Sequence, residues 1–321
     1  MVMRRVGVKV PVSFFNYLGE AGVTVLQYME TMIDRMNAQG RIRTGETYYA
    51  TLRSFMTFRR GVDMPLSALT AEEIERYEGY LRRRGVVRNT SSFYMRVLRT
   101  AYNCAVAEGV VTLSSPVSSM FKNVYTGIDK TVKRAISLDY MKRIKELDLH
   151  GNKRLEFARD MFMFSFYMRG MSFVDMAFLR RCNLGGGVIW YTRRKTGQRL
   201  KILCEEPMYH IIERYRRSCV EDYLLPIINC EGGDVMAIYR NRLKVVNRQL
   251  KYIADMVGLD IPLTHYVARH SWATIARYMN IPISVISEGM GHDSIATTQI
   301  YLAQLDTSLI DQANHDILSK F

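Results

Sequence analysis

Several things are scarce in this chain, and each scarcity excludes something. Cysteine occurs five times, at positions 104, 182, 204, 219 and 230. The number is odd and no CxxC pair is present, which argues against a disulfide framework or a zinc ribbon and for a reducing cytoplasm. Proline and glycine together make only 28 of 321 residues, so the chain is neither collagenous nor linker-rich. The longest apolar run, Met161 to Met168, is broken by Ser165 and falls far short of the roughly 18 residues of a membrane span. Arg4 and Arg5 stand near the start, but Lys9 and Pro11 interrupt the residues after them, so no secretory signal is expected. None of the six histidines stands in HExxH or other ligand spacing, so neither a metal nor a cofactor is expected.

Apolar residues make up 48% of the chain, enough to bury sizeable cores, and the length suits two domains. The formal net charge is +14. Residues 1–125 carry 17 basic and 10 acidic side chains and residues 126–321 carry 28 and 21, so each half is +7. A basic character shared by both halves points to a polyanion contacted along the whole protein.

The pattern predicts a mainly α protein with one small antiparallel β-sheet. After a short lead-in over residues 1–20, four helices are expected within 21–112. The first carries Leu26, Met29, Ile33 and Met36 on one stripe, and the second runs from about Gly45 to Arg59. Thr70-Ala-Glu-Glu73 reads as a capping box opening the third, which ends in Arg82, Arg83, Arg84 and Gly85. The fourth starts at Asn89 or Thr90. Residues 113–134 read as a linker, and 135–321 as a second domain. There, 153–169 is apolar nearly all round and should be a buried helix. Val188–Thr192 and Leu200–Leu203, joined through Thr196-Gly197, should form a hairpin. Helices are expected at about 207–219, 235–257, 265–279, 283–289 and 296–302. A last amphipathic tail carries Leu305, Leu309, Ile310, Ala313, Ile317 and Leu318.

Three stretches near the C-terminus carry the chemistry: Ala268-Arg269-His270-Ser271-Trp272-Ala273-Thr274, Gly289-Met290-Gly291-His292, and Thr297-Thr298-Gln299-Ile300-Tyr301. Together they resemble the tyrosine recombinases, or phage-type integrases, which combine an Arg-His stretch, a Gly-His and a Tyr nine residues after that His. Lys195, in Arg194-Lys195-Thr196-Gly197, matches the family's lysine on a β-hairpin. The resemblance spans about residues 20–321. Ile286-Ser-Glu-Gly-Met-Gly-His292 is most similar to integrases from mobile elements of Bacteroides-type bacteria. The resemblance implies a helical core-binding domain and a catalytic domain, with double-stranded DNA as partner. It also implies a tetramer on two DNA sites, a monomer without DNA, and cytoplasmic, bacterial, membrane-free work.

The chemistry agrees. A phenol with pKa near 10 is about 0.1% ionised at pH 7, so Tyr301 needs cations around the phosphate it attacks. Arg269 on an otherwise apolar helix is costly to bury without an anion. Its fork suits two phosphate oxygens. His292 is a catalytic residue in the same resemblance, and Lys195 could protonate the leaving 5′-oxygen. Two positions depart from the family. Tyr266 stands where a His is usual three residues before Arg269, with His265 beside it. Ser172 occupies the slot of the first catalytic arginine in Gly170-Met171-Ser172 with Asp175. Arg169, one turn earlier if the helix continues, is the nearest substitute, with Arg193 and Arg194 as alternatives. Arg82, Arg83, Arg84 and Arg96 are expected on the DNA backbone. The departures leave room for a catalytically impaired DNA-binding relative, and the chemistry is shared with type IB topoisomerases. The 20 residues ahead of the first helix are too few for a folded arm-binding domain, so a compact recombination site is expected.

Overall fold

A computed structural model describes residues 22–111, 117–129, 134–230, 232–302, 315, 318 and 319. The lead-in and most of the C-terminal tail lie outside the described residues. The chain divides into two compact units, Met1–Thr131 and Val132–Phe321.

The first unit holds α1 (Val25–Ala38), α2 (Ile42–Phe58), α3 (Ala71–Arg83), α4 (Arg88–Ala107) and the short α5 (Val117–Met120). Thr24 and Gln27 form a reciprocal capping box at α1. That helix buries Val25, Tyr28, Met29, Met32 and Met36, the i, i+3, i+4 stripe of an amphipathic helix. Phe55 of α2 meets Tyr77 of α3 edge to face at 5.2 Å, with Ile74, Leu81, Met95 and Leu98 packed around them. Thr70 caps α3 by accepting from the Glu73 N–H. The Glu73 carboxylate, expected to close a capping box, instead pairs with Arg59 and Arg76. The segment read as a linker is only partly one, because Phe121 and Val124 are buried in this first core.

The second unit is built on α7 (Lys153–Tyr167), preceded by α6 (Leu138–Glu146) and flanked by α9 (Glu206–Tyr215), α10 (Val235–Met256) and α11 (His265–Tyr278). Met161, Phe162 and Phe164 of α7 are wholly enclosed, each contributing about 1.5–3 kcal/mol of burial. Buried Asp160 accepts from Arg159, from Arg214 at 2.7 Å and from the Tyr215 hydroxyl, locking α7 to α9. The sheet runs β1 (Leu184–Gly185), β2 (Val188–Thr192) and β3 (Arg199–Leu203), all antiparallel, with Val188 opposite Leu203 and Thr192 opposite Arg199. β2 turns Ile189 and Tyr191 inward and leaves Trp190 and Thr192 exposed, the period of two expected of a half-buried strand. Among the described residues the last helices in chain order are α12 (Ile283–Gly289) and α13 (Ile295–Leu302). Trp272, Ala273, Ala276, Ile286 and Met290 form a small core joining α11 to α12.

One break was not expected. α7 stops at Tyr167, and Arg169 and Gly170 adopt left-handed conformations at φ 57° and 75°. Ser165, the lone polar residue in the apolar run, ties this turn by donating its hydroxyl to the Met171 carbonyl at 2.7 Å. A further short helix, α8 (Phe173–Ala177), starts at Ser172. The helix therefore does not continue through Arg169, and Arg169 does not share a helix face with Ser172.

Candidate active site

Arg269 lies in α11 and is buried. Its guanidinium donates to the Gly170 carbonyl at 2.8 Å, to the Met290 carbonyl at 2.7 Å and to His292 Nε2 at 2.8 Å. One side chain thus draws together the turn after α7, the end of α12 and the loop before α13. The approach is tight. A Cβ on Gly170 would fall 2.6 Å from the Arg269 Cα, so only glycine fits.

His292 sits in the loop between α12 and α13. Its Nδ1 lies 2.7 Å from Oγ1 of Thr298, a fully buried residue of α13. Burial lowers its pKa to about 4, aided by the positive charges of Arg269, Arg193 and Lys195, so the ring is neutral at pH 7. Arg269 can only donate, so Nε2 carries a lone pair and the ring proton sits on Nδ1.

The β2–β3 turn closes against this loop. Buried Arg193 donates to the Gly291 carbonyl. A Cβ on Gly291, at φ 64°, would strike Arg193 Cδ at 2.8 Å and Leu200 Cδ1 at 2.9 Å. Lys195 is exposed in the same turn, and its charge reaches His292. The Arg194 N–H donates to Asp175 Oδ1 at 2.9 Å, while its guanidinium lies over the Phe178 ring at 4.0 Å. Ser172 caps α8, accepting from the Asp175 N–H and donating to Asp175 Oδ2 at 2.7 Å. In this structure the residue in the arginine slot and the acid after it form one joint between α8 and the hairpin.

Arg169 lies close to the end of α12. Its Cδ lies beside Gly289, which also meets the Trp272 ring. Burial and the Asp175 charge raise the pKa of Tyr191, and the charges of Arg193, Arg269 and Arg169 act against that rise. Apart from its inward position in β2, nothing in the chain's pattern pointed to Tyr191.

Tyr301 falls in α13, three residues after Thr298. Its side chain lies outside the described residues. Tyr266 is half exposed and meets the His270 ring edge to face at 4.8 Å. His265 does not join the cluster. It is buried against Phe173, and its pKa is lowered by burial to about 3, the Met161 backbone acting against that fall. Arg82, Arg83 and Arg84 are exposed at the end of α3, with Arg84 donating to the Tyr80 hydroxyl. Arg96 on α4 is half-buried. Among the described residues no His, Cys, Asp and Glu side chains gather as a metal site would need.

Residues 24–123 match the family described as the phage integrase SAM-like domain, and residues 156–308 match the phage integrase family itself. The chain belongs to the phage integrase family. Tyrosine recombinase XerC of Leptospira interrogans is 22% identical over 89% of both chains. Tyrosine recombinase XerD of Rhizobium meliloti is 21% identical over 91% of this chain and 96% of its own. A shorter match, 30% identical, covers 38% of this chain and 41% of XerD of Pseudomonas putida. Among solved structures, a lambda integrase dimer bound to a COC′ core site shares the fold at a TM-score of 0.64, with 16% identity over 92% of this chain and 81% of that one. The Tn1549 transposon integrase in complex with transposon right end DNA does so at 0.65, with 15% identity over 92% and 99%. Both the helical architecture and the small antiparallel sheet are thus those of an integrase.

Proposed function

We propose that this chain is a site-specific DNA recombinase that cuts and rejoins duplex DNA through a 3′-phosphotyrosyl intermediate. The observation that carries the reading is the buried Arg269 guanidinium, converging with His292 beside the helix of Tyr301 and near the hairpin turn of Lys195. Tyr301 loses its proton to water and its oxygen attacks phosphorus. The bond to the 5′-oxygen breaks, and Lys195 protonates that leaving oxygen. A 5′-hydroxyl attacks in reverse to rejoin the strand, so no ATP is used. Arg269 and His292 hold the non-bridging oxygens, where each aimed donor is worth about 10²–10³ in rate.

Ser172 is a helix cap, so the second guanidinium comes from elsewhere. Arg169 fits that task, since among the described residues no carboxylate pairs with it, its Cδ lies beside Gly289 at the end of α12, and its charge reaches the same buried phenol as that of Arg269. Arg193 is the competitor, already engaged by the Gly291 carbonyl. Arg82–Arg84 and Arg96 of the first unit serve as phosphate contacts, and that unit is the core-binding domain. Tyr266 stands one turn before Arg269, within reach of the same phosphate as a hydrogen-bond donor. His265 supports the fold alone.

Four copies act on two DNA sites and single copies exist without DNA. A lambda integrase tetramer bound to a Holliday junction shares this fold at a TM-score of 0.64, which supports that assembly. The work is cytoplasmic, and among the described residues no helix is long and apolar enough to cross a membrane. The Ile286–His292 wording supports a mobile element of Bacteroides-type bacteria as the source. A DNA substrate nicked beside the cleavage site tests the function. The wild-type chain should form a covalent adduct and Tyr301→Phe should bind the same DNA and form none. Adduct from the Phe variant would refute the assignment.

A further inference from the structure

We propose that Thr298 is a positioning residue whose hydroxyl lets His292 exchange tautomers in place when a phosphate enters. The inference rests on the recombinase reading above.

In the DNA-free protein the proton count at His292 is fixed by its neighbours. The guanidinium of Arg269 occupies Nε2 as a donor, so the ring hydrogen is on Nδ1 and Thr298 Oγ1 accepts it at 2.7 Å. The charges facing the ring are Arg269, Arg193 and Lys195, and all oppose a second proton. Thr298 is fully buried, so water does not compete for that bond.

This tautomer is wrong for the substrate. The non-bridging oxygens of a phosphodiester only accept hydrogen bonds, and a ring presenting a lone pair at Nε2 would repel one. When the phosphate draws the Arg269 guanidinium to itself, Nε2 loses its donor. The ring is then best served by a proton on Nε2, donated to phosphate, with Nδ1 as an acceptor. Nδ1 then needs a donor in the place where it had an acceptor. A hydroxyl meets both needs by rotating about its C–O bond, with no heavy atom displaced. Solvent water that enters with the DNA gives a proton to Nε2, and the proton released from Nδ1 returns to solvent water as the Thr298 hydroxyl turns, so one proton is gained, one is lost and the charge of the ring is unchanged. A carbonyl or carboxylate at this position could only accept, and would hold His292 in the resting form.

The location of Thr298 adds a second consequence. It lies in α13, three residues before Tyr301, about 4.5 Å along the axis. His292 lies in the preceding loop. The Thr298–His292 bond exists only while α13 is seated on that loop, so the correct ring orientation and the position of the nucleophile's helix are set together.

The test compares wild type, Thr298→Val and Thr298→Ser in single-turnover cleavage of nicked DNA, with ¹⁵N shifts of the His292 ring recorded alongside. Free protein should show Nδ1 protonated. The complex of Tyr301→Phe with DNA should show Nε2 protonated. Thr298→Val should bind DNA as wild type does and cleave about ten-fold or more slowly, the size of one unsatisfied buried donor. Thr298→Ser should recover most of that loss, which a packing role for the methyl group would not produce. Cleavage by Thr298→Val at the wild-type rate, or a ring still protonated at Nδ1 in the DNA complex, overturns the inference alone. No adduct from the wild-type chain overturns the proposed function and this inference with it. A misfolded Val variant leaves the ring shifts and the Ser variant to decide.

Discussion

Replacing Gly170 by alanine is the most direct probe of how the site is held. The added Cβ would fall 2.6 Å from the Arg269 Cα and 2.8 Å from its Cγ. The nearer atom is backbone and cannot rotate away. Gly170 is also left-handed at φ 75°, a conformation that costs alanine about 1–2 kcal/mol. Relief of the clash must move the Gly170 carbonyl, which accepts from the Arg269 guanidinium at 2.8 Å. A hydrogen bond to a charged group is worth about 1.5–3 kcal/mol. The two effects sum to about 2.5–5 kcal/mol, or about 5–20 °C of melting temperature for a domain of this size. Gly186 is the control. It is left-handed at φ 55° with nothing within 4 Å of an added Cβ. Gly186→Ala should show only the conformational cost and cleave normally, whereas Gly170→Ala should also cleave at least about ten-fold more slowly at a temperature where both are folded. Calorimetry and cleavage of nicked DNA read both effects. Equal melting shifts for the two variants would refute the claim that the Arg269 contact demands glycine.

Arg169→Ala should reduce cleavage by about 10²-fold with DNA affinity nearly intact, and Ser172→Arg in that background should restore part of it. If Arg193→Ala alone shows this loss, the second guanidinium lies on the hairpin. Lys195→Ala should be slow on ordinary DNA but close to wild type on DNA whose 5′-bridging oxygen is sulfur, because a thiolate with pKa near 8.5 leaves without a proton; equal slowness on both would remove Lys195 from that role. Thermal stability of the isolated chain should fall as pH drops below about 6.5. His292 and His265 stay neutral when folded, at about 4 and about 3, while the unfolded chain takes up their protons near 6.5. The loss should level off below the folded values, and His265→Gln should flatten part of it; a melting temperature that does not change between about pH 7.5 and 5 would contradict the assignment of both rings as buried and neutral.

The sequence announced helices well where an apolar stripe is clear, as in α1, and where a cap opens one, as at Thr70 with α3. It also announced the hairpin, because β2 alternates cleanly. It misled at Arg169, where apolar periodicity ran on through Met168 while the backbone had already turned. Gly170 was the available signal, since a glycine just past an apolar helix commonly marks a left-handed stop. It misled again over residues 113–134, where Ser and Pro masked the buried Phe121 and Val124. His265 was drawn toward the site by its neighbours in the chain, though its own ring packs against Phe173. The acceptors that organise Arg269 and Arg193 were illegible for a simpler reason. They are main-chain carbonyls of Gly170, Met290 and Gly291, and every residue type has one.

Those carbonyls have a consequence for specificity. Arg269, the guanidinium proposed for the phosphate, is not idle in the free protein, because the protein's own peptide groups already occupy it. Arrival of DNA is therefore a substitution, in which an anion displaces neutral acceptors that are fixed and already desolvated. A weakly basic or wrongly shaped anion gains too little over a good carbonyl to displace it. The resting protein carries its own competitive occupant, tethered at unchanging local concentration, and only a ligand that replaces several such bonds at once can open the site.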